Sequence, residues 1–269
     1  MKLLTLNCHS WQEENQIAKI KILAKTIQEK SYDVIALQEV SQLVNEQIID
    51  GNIKKGNFGL VLLNELQKLG VADYQLVWDF SHIGYEIYEE GLAILTKHPI
   101  LETYSFFVSG NKDTNYWKTR KIVGANISYH DKPIAFYSCH LGWWHDEEEP
   151  FKNQVDSLLK FVQKDEVYFL MGDFNNHAFV KGEGYDYLMS RGLYDTFNLA
   201  EEKDKGITVK GKIAGWDQNK HDLRIDFILT SQPRRIKNSN VIFNGESKSV
   251  ISDHFGVEIE VELEKNDLE

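Results

Sequence analysis

Apolar residues along this chain fall into short runs separated by polar turns. Runs rich in Ile, Val, Leu and Phe occupy residues 3–6, 34–37, 91–95, 122–127, 134–137, 167–171, 225–229 and 256–261. Their lengths are those of strands, and an unbroken apolar run predicts a strand buried on both faces. Other stretches follow a helical period. Ile17, Ile20, Leu23, Ala24 and Ile27 share one stripe, with Asn15 placed to cap it. Phe58, Leu62, Leu66 and Leu69 form a second stripe, and Phe151, Val155, Leu158, Leu159 and Val162 a third. Pro150 opens the third at a first-turn position, and three acids before it suit the helix dipole.

Strands outnumber helices, and many neighbouring strands are joined by connections too short for a crossover helix. The pattern therefore predicts an α/β protein with mixed, mostly antiparallel sheets covered by helices, rather than a regular alternating barrel. Residues 201–221 are polar and rich in Lys and Gly, which reads as a long loop of the kind that often carries function. No internal repeat or Pro/Gly-rich linker divides the chain, so one domain over residues 1–269 is expected.

Composition narrows the classes. The 269 residues are 42% hydrophobic and 26% charged, enough for a sizeable core. The net charge is −11, opposite to the bias of a protein that grips a long polyanion. Cys8 and Cys139 lack the spacing of a disulfide framework or a thiolate metal site. The start, Met1-Lys2-Leu3-Leu4-Thr5-Leu6-Asn7, turns polar too soon for a signal peptide, and no apolar run reaches membrane-spanning length. A cytoplasmic location with no membrane partner is expected.

Polar residues with chemical potential sit where the apolar runs end. Asn7 closes the first run and Glu39 follows the second; taken alone, Asn7 reads as an ordinary strand-ending turn residue, and Glu39 is equally a solvated surface residue. A carboxylate at Glu39 also suits a hard, oxygen-loving cation. Ser138-Cys139-His140 ends another run, and a lone histidine is more often structural than catalytic. Gly172-Asp173-Phe174-Asn175 is more specific, with two polar side chains directly after a buried strand. Asp226 interrupts an apolar run, where a carboxylate must be paired or functional. Ser252-Asp253-His254 precedes the last run.

The full ordered set, from Leu6-Asn7 through Gln38-Glu39, Glu90-Gly91-Leu92-Ala93, Ser138-x-His140, Gly172-Asp173-Phe174-Asn175 and Arg224-Ile225-Asp226 to Ser252-Asp253-His254, resembles the endonuclease/exonuclease/phosphatase superfamily with its DNase I-like fold. The resemblance implies a four-layer α/β sandwich, two mixed sheets face to face with helices outside and the site at one end. It implies Mg²⁺ (with Mn²⁺ able to substitute) on Glu39, supported by Asn7, with Asp253 in the same cluster. Asp173 would orient and deprotonate the attacking water, and Asn175 would hold that water or a phosphate oxygen. His254 would bind phosphate and exchange protons, with Asp226 fixing its tautomer. His140 would face the phosphate from the other side with Glu90 as its partner. Arg120 is a candidate phosphate clamp and equally a strand-edge surface arginine.

Substrate is read less directly. No run of Lys and Arg interleaved with aromatics suggests a nucleic-acid groove. Beyond His140 come Trp143, Trp144 and the acidic run 146–149, where indole faces suit sugar rings and acids would repel a polyanion. One tryptophan filling the core and acids capping the next helix is the plain alternative. The segments Leu4–Trp11, Ser81-His82-Ile83-Gly84-Tyr85 and His140-Leu141-Gly142-Trp143-Trp144 look most like the bacterial maltose-6′-phosphate phosphatase branch. That likeness implies hydrolysis of a small phosphorylated sugar, with maltose 6′-phosphate the first choice. A DNA endonuclease or exonuclease using the same site is the alternative.

Overall fold

Most of the apolar runs form strands with both faces covered, which is why they are unbroken, whereas residues 256–261 alternate, with Glu258 and Glu260 half-buried. A computed structural model describes residues 1–162, 164 and 167–263. In chain order the elements are β1 (Lys2–Asn7), α1 (Gln16–Lys30), β2 (Val34–Leu43), β3 (Ile48–Asp50), β4 (Ile53–Lys54), α2 (Phe58–Lys68), β5 (Gln75–Gly84), β6 (Tyr88–Thr96), β7 (Ile100–Phe107), β8 (Lys121–Tyr129) and β9 (Lys132–His140). There follow α3 (Phe151–Val162), β10 (Tyr168–Asp173), α4 (Gly184–Ser190), β11 (Tyr194–Asp195), α5 (Thr196–Leu199), β12 (Ala200–Lys203), β13 (Asp226–Thr230), β14 (Ile236–Ile242) and β15 (Gly256–Val261).

One sheet has seven strands in the order β12-β14-β15-β1-β2-β6-β5, and a second has six in the order β11-β13-β10-β9-β8-β7. Side chains sort between layers with the period-two alternation of a strand. Leu3, Val34 and Ala36 pack against Ala125, Ile127, Phe136, Phe169 and Met171 of the other sheet. Leu4, Leu6, Ile35 and Leu37 point away from that interface, into a core with Ile20, Leu23 and Ile27 of α1 and Leu62 and Leu66 of α2. On the far side Ala135, Tyr137, Cys139, Leu170 and Leu229 meet Phe151, Val155, Leu158 and Leu159 of α3 and Leu188 of α4. The layers run helices, sheet, sheet, helices, as the resemblance implied.

Parallel pairing occurs in β1–β2, joined through α1, in β9–β10, joined through α3, and in β12–β14. The remaining pairs are antiparallel. Among the described residues no helix is long and apolar enough to cross a membrane. Both cysteines are free and buried.

Several local expectations need correction. Ile17 is 48% exposed, and Asn15 precedes α1 in a left-handed conformation with no side-chain cap bond. The buried stripe starts instead at Gln16, whose side-chain oxygen accepts from Trp11 N, and continues at Ile20. Leu69 lies past the end of α2, and Asn57 caps that helix by accepting from Leu60 N. Of the acids before α3, Glu149 accepts from the backbone N–H groups of Gly110 and Asn111, and Glu148 pairs with Lys118 and Tyr116, so these two are engaged by the β7–β8 loop. Residues 201–203 of the expected loop belong to β12. Strands β5, β7, β12 and β14 carry no continuous apolar run. Three of them are sheet edges and β14 is next to one, so each buries less than two full faces.

Candidate active site

Strand direction brings the scattered polar residues to one end of the sandwich. β1, β2, β9 and β10 deliver their C-terminal ends there, while antiparallel β13 and β15 begin there. Register then sets neighbours. Asp173 lies directly beside His140 on β9 and beside Asp226 on β13, so three chemical side chains stand abreast on adjacent strands. The preceding Gly172 has φ +150°, and a Cβ there would overlap the Cys139 carbonyl. Glycine lets β10 approach β9 closely at this level.

On the other sheet, Glu39 sits at an irregularity in the β2–β6 pairing between Leu37 and Val40, with φ +51°. This bulge turns its carboxylate to the sandwich end. A buried polar chain joins the two sheets just below. Thr5 Oγ1 donates to Gln38 Oε1 at 3.3 Å, Gln38 Nε2 to Ser138 Oγ at 2.9 Å, and Ser138 Oγ to Leu37 O at 2.8 Å. Ser252 Oγ donates to Asn7 O at 2.7 Å and so ties the segment before β15 to β1.

Asn7 Nδ2 donates to Glu39 Oε1 at 2.8 Å and to Asp173 Oδ2 at 3.2 Å, while its oxygen accepts from His9 N at 3.1 Å. Asn7 thus bridges and orients the two carboxylates, and its oxygen keeps a second lone pair. Asp253 lies beside His9 and Glu13, with His9 Nδ1 2.8 Å from Glu13 Oε1 and 3.7 Å from Asp253 Oδ1, and its charge also raises the Glu39 carboxyl. Both Asp253 and Glu39 still line the same cleft.

His254 Nδ1 lies 3.0 Å from Asp226 Oδ2, and its Nε2 lies 3.7 Å from Asp173 Oδ2. Burial disfavours the imidazolium, but Asp226 and Asp173 outweigh it and hold His254 well above the ordinary histidine value. His140 Nε2 is also 3.7 Å from Asp173 Oδ2, yet burial and the Arg120 charge keep His140 well below its ordinary value. The two histidines are thus in opposite states, one cationic and one neutral. Burial raises Asp173 to about 7, with His254 opposing and Asp226 assisting. Asn175 N donates to Asp173 Oδ1 at 2.8 Å, and the Asn175 amide is itself held by Leu141 O and the Trp216 indole N–H.

Glu90 pairs with a residue to which the sequence assigns no role. His82 Nε2 lies 3.4 Å from Glu90 Oε1, and His82 Nδ1 lies 3.2 Å from Thr119 O. The carbonyl requires the proton on Nδ1, which leaves Nε2 to accept from Glu90. Burial and Arg120 lower His82 to about 3, and burial with the nearby Glu39 pushes Glu90 up to about 8, in accord with a protonated Glu90 donating to neutral His82. Glu90, Glu39 and His140 nevertheless present atoms within 4.8 Å of one another. Burial and the Asp253 charge raise Glu39, and burial and the Glu39 charge raise Glu90, so this group of acids is short of positive charge, and its oxygens match a hard divalent cation.

Arg120 is buried, not a surface arginine. Its Nη1 donates to Trp117 O at 2.9 Å, and its Nε has no protein partner. The guanidinium lies 5.9 Å from the Trp143 ring centre. Trp143 lines the cleft, whereas Trp144 packs with Phe151 and Tyr187 against the α3 core. The cleft, about 310 Å³ in volume, is also lined by His9, His82, Tyr85, Trp117, Ala214 and Gly215. Most of these lie in segments with no periodic pattern, so only the loops' return to the site reveals them. Residues 214–215 come from the polar stretch that the sequence marks as a functional loop.

Residues 4–254 match the profile of the Endonuclease/Exonuclease/phosphatase family. The chain belongs to that family and is a phosphoesterase of its superfamily. Among solved structures, an endonuclease/exonuclease/phosphatase family protein from Leptotrichia buccalis is 44% identical, with a TM-score of 0.92 over 98% of this chain and 100% of that one. A mannosyl-6-phosphatase from Bacteroides thetaiotaomicron has a TM-score of 0.69 at 17% identity, over 98% and 100% of the two chains. Truncated TDP2 from Caenorhabditis elegans has a TM-score of 0.63 at 16% identity, over 97% of each chain. No curated protein matches the sequence.

Proposed function

We propose that this chain is a Mg²⁺-dependent phosphomonoesterase acting on a small phosphorylated sugar, with maltose 6′-phosphate the first substrate to test. The observation that carries the reading is the shape of the cleft. Its volume of about 310 Å³ is at the small end of ligand sites, and Trp117, Trp143 and residues 214–215 wall it in. A polymer needs an open track, whereas one phosphate and its sugar need a pocket. The mannosyl-6-phosphatase neighbour indicates that this fold supports such chemistry in another protein. The free, buried thiols suit a reducing cytoplasm, where phosphorylated sugars occur.

In this mechanism Glu39 and Glu90, the latter giving up its proton, would hold the cation with His140 beside them. Bound Mg²⁺ would neutralise phosphate charge as a Lewis acid. Asp173, poised near neutrality and fixed by Asn7 and Asn175 N–H, orients water and accepts its proton. His254, cationic through Asp226, faces the phosphate and supplies a proton to the departing sugar oxygen. Neutral His140 and the Arg120 guanidinium bind phosphate oxygens from the side of Trp143. The products are the free sugar and inorganic phosphate, with no covalent enzyme intermediate.

Phosphate release should be screened over sugar phosphates, nucleotides and plasmid DNA. EDTA should abolish release, and Mg²⁺ or Mn²⁺ should restore it. Full activity in a preparation shown to be metal-free, or efficient plasmid cleavage in place of sugar-phosphate hydrolysis, overturns the reading.

A further inference from the structure

The acidic run 146–149 has a use that neither catalysis nor charge repulsion explains. Lys118 Nζ lies 2.7 Å from Asp146 Oδ2 and 2.5 Å from Glu148 Oε2. The Tyr116 hydroxyl donates to Glu148 at 3.1 Å, and Glu149 accepts from Gly110 N and Asn111 N, each at 2.7 Å. Thr114 O accepts from Ile83 N at 2.7 Å, and Thr119 Oγ1 donates to Asp113 O at 2.6 Å. The segment between β7 and β8 is therefore fastened along its length. It carries Arg120 into the cleft and leaves Trp117 52% exposed on the cleft wall.

A single exposed tryptophan on a surface needs no explanation. This one differs because its loop is fastened, so its exposure is not fraying. It also meets Trp143 with ring centres 6.1 Å apart and planes tilted by 57°, which makes an angled aromatic wall and not a flat patch. Trp143 is the inner half of that wall, beside Arg120, and its buried indole N–H has no protein partner. Trp117 is the outer half. Moving outward, the cleft thus changes from histidines and carboxylates, through the phosphate-binding arginine, to two aromatic faces. That is the polarity sequence of a phosphorylated sugar carrying a further, uncharged ring.

We propose that Trp117 and Trp143 form a subsite for the unphosphorylated ring of a phosphorylated disaccharide, and that residues 146–149 hold the Trp117 loop in place for it. The proposal rests on the sugar-phosphatase reading and adds its specificity element. Trp117 and Trp143 touch the substrate, and Glu149 is a positioning residue acting through residues 110 and 111.

Steady-state kinetics on maltose 6′-phosphate, glucose 6-phosphate and glycerol phosphate test it. In Trp117→Ala, KM for the disaccharide phosphate should rise about tenfold, the size of one aromatic contact. Its kcat should hold, and both constants for ring-free glycerol phosphate should stay unchanged. Glu149→Ala should likewise raise the disaccharide KM and, because the same loop carries Arg120, should raise KM for glycerol phosphate as well. An unchanged disaccharide KM in Trp117→Ala, or an equal change on glycerol phosphate, overturns the subsite. Quenching of tryptophan fluorescence by unphosphorylated maltose gives a readout free of activity. Trp117-dependent quenching in a protein that hydrolyses no sugar phosphate would reject the phosphatase reading and keep the ring site. Normal hydrolysis, with no quenching and no KM change in Trp117→Ala, would do the reverse.

Discussion

At the scale of single residues, the site works by putting like groups in unlike surroundings. His254 and His140 both lie 3.7 Å from the same oxygen of Asp173, yet Asp226 and Asp173 overcome burial to make one cationic, while burial with the Arg120 charge keeps the other neutral. Asp173→Asn should remove the proton acceptor, and His254→Ala the cationic donor. Each should lower kcat by about 10²–10⁴-fold while leaving the circular dichroism spectrum unchanged. Near-wild-type kcat in either variant would refute its role. Glu90 yields a stability test. Its folded-state pKa is raised from an ordinary 4.5 to about 8, so its favourable contribution is complete below about 4.5 and is lost as pH rises towards 8. In metal-free protein the Tm of wild type should therefore fall over that window relative to Glu90→Gln. Parallel Tm profiles for the two would show that Glu90 ionises normally.

Elements are held in register by a few polar residues at their ends. Asp33, just before β2, accepts from Lys2 N at 2.7 Å and meets His98 Nε2 at 2.8 Å, so it joins the starts of β1 and β2 to the β6–β7 turn. Burial would raise its pKa, but the Lys2 N–H and His98 hold the carboxyl below its ordinary 3.8. A depressed carboxyl stabilises above the unfolded-state value and loses that effect as pH falls through the folded one. Asp33→Asn should accordingly lower Tm by about 2–5 °C at pH 7, with the deficit shrinking towards pH 3. A deficit that is constant with pH would assign the loss to packing. At the opposite end of the strands, the Thr5–Gln38–Ser138 chain fixes how the two sheets meet beneath the catalytic groups. Every member of that buried chain has a partner, which is what makes such a network stabilising.

For the whole molecule, the net charge of −11 and the walled cleft bear on the partner class. A protein that neutralises many phosphates loses about 10³–10⁵ in affinity between 50 and 200 mM salt. One phosphate monoester held by Arg120 and its neighbours releases few counterions. KM for a sugar phosphate should thus change less than about tenfold over that range, and supercoiled plasmid should stay intact at enzyme concentrations that exhaust the sugar phosphate. A steep salt dependence together with plasmid nicking would favour the nuclease reading.

What the amino-acid order alone determined was the interior. A strand covered on both faces is apolar over the covered stretch, so β1, β2, β6, β8, β9, β10 and β13 are visible as runs, β15 as an alternation with Glu258 and Glu260 half-buried, and Phe58 or Phe151 marks a helix face. The polar residues that interrupt these runs, Asp173 and Asp226 above all, were legible as chemistry because burial without purpose is costly. Edge strands β5, β7 and β12 were not legible, since a half-covered strand has no unbroken run to display. Nor was it visible that Trp143 lines the cleft while Trp144 enters the core, that Glu90 meets His82, or that Glu149 fastens a distant loop. Those outcomes depend on strand register and on loops that return across the fold. Such contacts join residues far apart in the chain, and no local pattern of hydrophobic and polar positions encodes them.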